Sequence, residues 1–154
     1  MAFACLLLAT CLTAVMVGFW CTWGIIVLPA LDNVPPTVAV ASMRSLNESV
    51  LTPAFLMPFF ASPLFSAAAT LALATEGAAI AATLLGVATG TQIFGVILVT
   101  RAMNVPLNDH LARTNAAAED AWAAFSSAWQ RAHRLRTTAS CLALACCAAA
   151  WWAR

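Results

Sequence analysis

The chain has no lysine and no tyrosine, and only 8% of its residues are charged. A soluble domain carries about 25%. So few charges cannot cover the surface of a water-soluble fold, and lipid must be the solvent for most of this chain. The missing lysines and a net charge of +1 also argue against nucleic acid as a partner, because phosphate binding needs a concentrated basic face. There are six cysteines, but none stands in a C-x-x-C pair and all lie in apolar runs. The spacing of a disulfide framework or of a dithiol redox centre is absent, so they read as small packing residues. No phosphate loop, no G-x-S-x-G elbow and no dinucleotide fingerprint occurs.

What is present is apolar: hydrophobic residues make up 63% of 154 residues, a length that suits one domain spanning 1–154. About 20 apolar residues cross a bilayer as a helix. The charge-free runs give approximate spans at 3–31, 53–75, 78–100 and 130–152. No basic residue precedes Asp32, so the first run lacks the n-region of a signal peptide and is expected to be retained. Trp20 and Trp23 are expected in an interfacial aromatic belt, and Trp151, Trp152 and Arg154 in a second one. Pro35-Pro36 is expected to open a short helix, weakly amphipathic over Thr37 to Asn47. Thr52-Pro53 reads as the N-cap and first position of the second span, and Pro58 and Pro63 should bend it. Glu76-Gly77 leaves room only for a tight hairpin turn. Gly86-x-x-x-Gly90 is a small-residue face, suited to close packing inside the monomer or to a homodimer seam. Thr89, Thr91 and Gln92 are expected to face inward.

The stretch from Arg101 to Arg136 differs from all this. It holds five of the seven arginines and both histidines. MNVPLNDHL is read as a loop, because Pro106 disfavours helix at Val105 and Asn108-Asp109 can cap the next helix. That helix is expected from about Leu111 into the final run. The architecture implied is all-α: an integral membrane four-helix bundle with short interfacial helices in the first and third connections.

On a helix, Trp122, Phe125, Trp129, His133 and Arg136 are spaced by three, four, four and three residues, which makes one continuous stripe. It begins aromatic and ends polar. Such a stripe is more often core packing than a pocket. As a site, it would lay a ring system against the indoles while His133 and Arg136 hold its oxygens. Asn47, Asn104 and Asn108 fall on the same membrane side, and an amide can donate and accept at once. Buried polar groups at membrane depth are costly and mark functional sites. Metal spacing of the H-x-x-x-H kind is missing. A mixed site would have to combine His110 and His133 with Asp109, Glu119 or Asp120.

Three motifs occur in order: M-x-x-x-N at Met43 to Asn47 with V-L-x-P-x-F at Val50 to Phe55, then N-V-P-L-N at Asn104 to Asn108, then W-x6-W-x3-H-x-L-R at Trp122 to Arg136. Together they resemble the anthrone oxygenase-like family of small four-helix membrane proteins. His133 departs from the family pattern, which more often has Asn there. The resemblance implies a membrane-embedded oxygenase of natural-product biosynthesis, acting with dioxygen on a hydrophobic aromatic, anthrone- or quinone-like compound. Its implied place is the cytoplasmic membrane of a bacterium. On that reading His133 and Arg136 are catalytic, and Asn47, Asn104, Asn108, Trp122 and Trp129 bind substrate. No cofactor is required, and the partners are membrane lipid, a hydrophobic small molecule and a possible second copy. The alternative is a non-catalytic membrane module that binds a lipid, another hydrophobic ligand or a partner protein. A thiol redox protein of the vitamin K epoxide reductase type is disfavoured by the missing C-x-x-C.

Arginine counts set the expected topology. Arg44, Arg101, Arg113, Arg131, Arg134 and Arg136 belong to the first and third connections, and only Arg154 to the opposite side. The positive-inside rule puts those connections in the cytoplasm and both termini outside. An alkaline phosphatase fused at the C-terminus should therefore be active in cells, and a fluorescent protein fused there dark; the reverse pattern would invert the topology.

Overall fold

A computed structural model describes all residues, 1–154, as five helical rods without a strand. They are α1 (Ala2–Asp32), α2 (Pro36–Ser49), α3 (Pro53–Thr75), α4 (Ala79–Arg113) and α5 (Ala118–Trp152). Three of them, α1, α3 and α4, are long and apolar enough to cross a membrane. α1 packs on α3, α3 on α4, α4 on α5 and α5 on α1, which closes a ring of four rods. The short α2 lies against the start of α5 and the end of α4.

Local chemistry explains most of the boundaries. Pro36 sits in the first turn of α2, where the missing N–H is not needed. Thr52 is the N-cap of α3, with Pro53 following, and the helix continues through Pro58 and Pro63. At the α3–α4 hairpin Gly77 has φ 80°, a conformation glycine adopts without steric cost.

The third connection departs from the sequence reading. The expected loop MNVPLNDHL is helical, and α4 runs through it to Arg113. The reason is a change of helical register. Thr91–Leu98 and Thr100–Asn104 form π-helical turns, and Pro106 falls in the first turn of the next α-helical segment. A wider turn shifts the hydrogen-bond ladder, so the proline's missing N–H breaks nothing. Asn108 therefore lies inside a helix and caps nothing. The chain turns later, at Thr114–Ala117, not at Asn108, and α5 starts at Ala118 rather than near Leu111. Arg44 of α2 fastens that turn: its Nε donates to the carbonyl of Leu111 at 2.9 Å and its NH2 group to that of Thr114 at 3.1 Å.

Small residues set the packing. Around the termini the core is largely alanine, with Ala9, Ala69, Ala81, Ala88, Ala143 and Ala150 buried together. Gly86 faces α3, where an added Cβ would stand 3.8 Å from Thr70, whereas Gly90 faces open space. Gln92 is buried and donates to Ser66 Oγ at 3.0 Å. Trp20 and Trp23 form no interfacial belt: both are buried. Trp152 at the other end is almost fully exposed.

Gly95 lets α4 and α5 approach closely, and a Cβ there would collide with Ala139. Overpacking of this kind costs about 1–3 kcal/mol. Gly95→Ala should lower the thermal midpoint in detergent, and adding Ala139→Gly should recover it. Gly18→Ala, which meets nothing within 4 Å, is the neutral control.

Candidate functional site

The organising feature is Arg136. It is 5% exposed, inside the bundle. Its guanidinium carbon lies 4.2 Å from the ring centroid of Trp20 and 4.7 Å from that of Trp129. Two indole faces thus sandwich the cation, an arrangement stabilised by the ring quadrupoles. Its Nε donates to Nδ1 of His133 at 3.2 Å. That bond requires Nδ1 to be unprotonated. The proton then sits on Nε2, which lies 3.1 Å from the carbonyl of Trp20 and donates to it. Trp129 stacks on the imidazole at 5.2 Å and 13°. His133 is thereby held on both nitrogens and on one face.

Two features of α1 make this possible. An added Cβ at Gly24 would stand 3.2 Å from His133 Nε2, so glycine lets the imidazole come close. The helix also widens into a π turn over Trp23–Val27, immediately beyond the Trp20 carbonyl that His133 uses. Wider turns of this kind recur at functional sites.

Arg136, Trp20 and Trp129 form part of the wall of a cavity of about 330 Å³, within the range of small-molecule sites. The other walls include Phe19, Trp23 and Phe55, then Thr100, Asn104 and Asn108 of α4, and Asn47 of α2. Glu48 and Asp109 are exposed and line it as well. Asn108 Oδ1 accepts from Trp129 Nε1 at 2.8 Å, which orients that indole. Asn104 Nδ2 makes a long bond of 3.4 Å to the Trp129 carbonyl. Three buried polar atoms of this wall have no partner: Trp20 Nε1, Thr100 Oγ1 and Asn104 Oδ1. Buried polar groups are normally satisfied, and these three exceptions belong to side chains that line one cavity.

The residues singled out in the sequence separate into two groups. Asn47, Asn104, Asn108, Trp129 and Arg136 converge on the cavity. His133 lies behind Arg136 and lines a smaller void with Asp32 and Arg134. Trp122 stands about three turns from His133, and its Nε1 donates to Asp32 Oδ1 at 3.0 Å, tying the end of α1 to α5. Nowhere do three side chains of His, Cys, Asp or Glu come together, so the mixed metal set is not assembled, and His110 is exposed. Sequence reasoning did not include Trp20, Phe19, Phe55 or Thr100. Trp20 and Trp23, one turn apart on an uncharged helix, were the available signal, but belt and core tryptophans look alike in sequence.

Residues 50–146 match the anthrone oxygenase family. The chain belongs to that family. No curated protein and no solved structure matches it. The anthrone oxygenase match contains Asn104, Asn108, Trp129, His133 and Arg136, while Trp20 and Asn47 lie outside it. The guanidinium sandwich of this anthrone oxygenase family member is thus completed by an indole from beyond the matched region.

The orphaned Asn104 makes an expectation about stability. An unsatisfied buried polar atom costs about 1–3 kcal/mol. Asn104→Leu should raise the thermal midpoint of the ligand-free protein in detergent, followed by tryptophan fluorescence. A lower midpoint would mean that the amide is already satisfied.

Proposed function

We propose that this protein is a four-helix integral membrane oxygenase that converts an activated methylene of a hydrophobic, phenolic aromatic compound to a carbonyl with dioxygen. The observation that carries this reading is Arg136, buried between two indoles on the wall of a cavity, with Nε as its only bonded nitrogen. A buried charge is costly unless compensated. Its remaining N–H groups are donors suited to an oxygen that becomes anionic during reaction. Family membership and the apolar helices support the same reading. In it α5 is the fourth crossing, the arginine-rich connections face the cytoplasm of a bacterium, and both termini lie outside.

The chemistry balances without a further cofactor. Loss of a proton from the methylene leaves an enolate whose charge rests on the carbonyl oxygen. Arg136 stabilises that oxygen, as donors at a developing anion do. Dioxygen takes up the carbanion electrons and bonds to the carbon, and the peroxide anion so formed takes back the proton first removed. The resulting hydroperoxide loses the second methylene hydrogen as a proton while its O–O bond breaks. One dioxygen is consumed, and one carbonyl and one water are formed. Phe19 and Phe55 pack against the rings, Trp20 and Trp129 hold Arg136 in place, and Asn47, Asn104 and Asn108 orient the phenols.

The family resemblance makes His133 catalytic, and an imidazole could serve as the base. Its ring nitrogens are engaged by Arg136 and the Trp20 carbonyl, so we assign it the positioning of Arg136. Asp109 and Glu48 are the carboxylates on the cavity that can take the proton. Trp122 supports the site through Asp32.

The test is oxidation of an anthrone by protein reconstituted in vesicles, measured as quinone absorbance and oxygen uptake against protein-free vesicles. Arg136→Gln should lower kcat about 100-fold, the loss found for a single anion-stabilising donor. His133→Leu should also be slow, whereas His133→Asn should recover most activity, because an amide offers one acceptor and one donor. Wild-type rates in Arg136→Gln would sink the assignment. Saturable binding with no oxygen uptake would favour a module that only holds a hydrophobic ligand.

A further inference from the structure

A second concavity lies on the outer side of the ring, between α4 and α5, away from the cavity just described. It is a groove of about 800 Å³. Its floor is Gly90, Gly95 and Ala139, and its sides include the exposed Phe94 and Leu142. At one end stand Arg131 and Arg134, with no carboxylate among the lining residues. Asp32 shares a small void with Arg134. Both its oxygens are committed, one accepting from Trp122 Nε1 and the other from Gln130 Nε2.

We propose that this groove binds one anionic glycerophospholipid, with its phosphate on Arg131 and Arg134 and one acyl chain along the floor. The charge pattern fits: two free cations at one end, apolar surface beyond. Basic pockets between helices on the cytoplasmic side take anionic headgroups. The length fits too. Leu142 lies eight residues beyond Arg134, about 12 Å at a rise of 1.5 Å per residue. That is close to half of a hydrocarbon core of about 30 Å, so the groove covers one leaflet. The floor is shaped for a chain rather than a side chain. Gly95 and Ala139 touch and close it, while at Gly90 a Cβ would meet nothing within 4 Å. None of these residues lines the Arg136 cavity, so the proposal stands apart from the oxygenase reading.

The test uses the full chain in neutral detergent, with dioleoyl phosphatidylglycerol or dioleoyl phosphatidylcholine added, read by thermal midpoint and native mass spectrometry. Phosphatidylglycerol should raise the midpoint and remain bound as one molecule; phosphatidylcholine should do neither. At about fivefold per arginine, Arg131→Gln with Arg134→Gln should weaken retention about 25-fold. Gly90→Leu, which fills open space, should weaken it with an unchanged midpoint in detergent alone. Equal effects of both lipids, or full retention by the double variant, would overturn the proposal. So would full stabilisation by glycerol phosphate alone, which would make this a phosphate site. A dimer that Gly90→Leu dissociates would also overturn it, since a second copy would then cover the groove.

Discussion

Everything in the arginine-rich half of the molecule depends on holding one guanidinium inside apolar helices. A buried charge is costly unless it is paired or otherwise compensated. The protein compensates with two indole faces and an imidazole lone pair. Each partner is fixed in turn. Trp129 is oriented by Asn108, His133 by the Trp20 carbonyl, and Trp20 by its place on α1. The compensation is incomplete: the other donors of Arg136 remain unpaired beside a void. A core selected only for stability would have closed that void with side chains.

The rest of the fold makes room for this arrangement. Alanine and glycine let the rods approach around the termini, and the bulky aromatics gather at the opposite end. The π turns fall where α1 and α4 meet the site, before Pro106 and beside Gly24. They let α4 continue past a proline and carry Asn104 and Asn108 on the same rod as its long apolar segment. Had α4 ended at Arg101, both asparagines would sit on a loop, with much less to fix their angle to Trp129.

The stripe Trp122 to Arg136 was legible because helical periodicity survives in any helix long enough to repeat. The amides were legible because polar groups stand out in an apolar chain. The separation of roles along the stripe was not. Periodicity puts Trp122, Trp129, His133 and Arg136 on one face, but it does not say that Trp122 is spent on Asp32, 90 positions away. Nor does it say that His133 turns toward α1 while Arg136 reaches the void. The helical continuation through Val105-Pro106 was hidden for a related reason. Proline's local preference opposes it, and only the π register relieves the conflict.

Composition and residue order by themselves determined that the chain is all-helical, that it carries apolar runs of membrane length, and that its polar groups concentrate between Arg101 and Arg136. These are consequences of local solvation and helical period, and each acts within one segment. Tertiary structure alone decided that Trp20 faces inward, that a cavity exists, and which polar atoms remain unpaired around it. Those depend on where separate helices touch, and contacts between segments far apart in sequence leave no period to read.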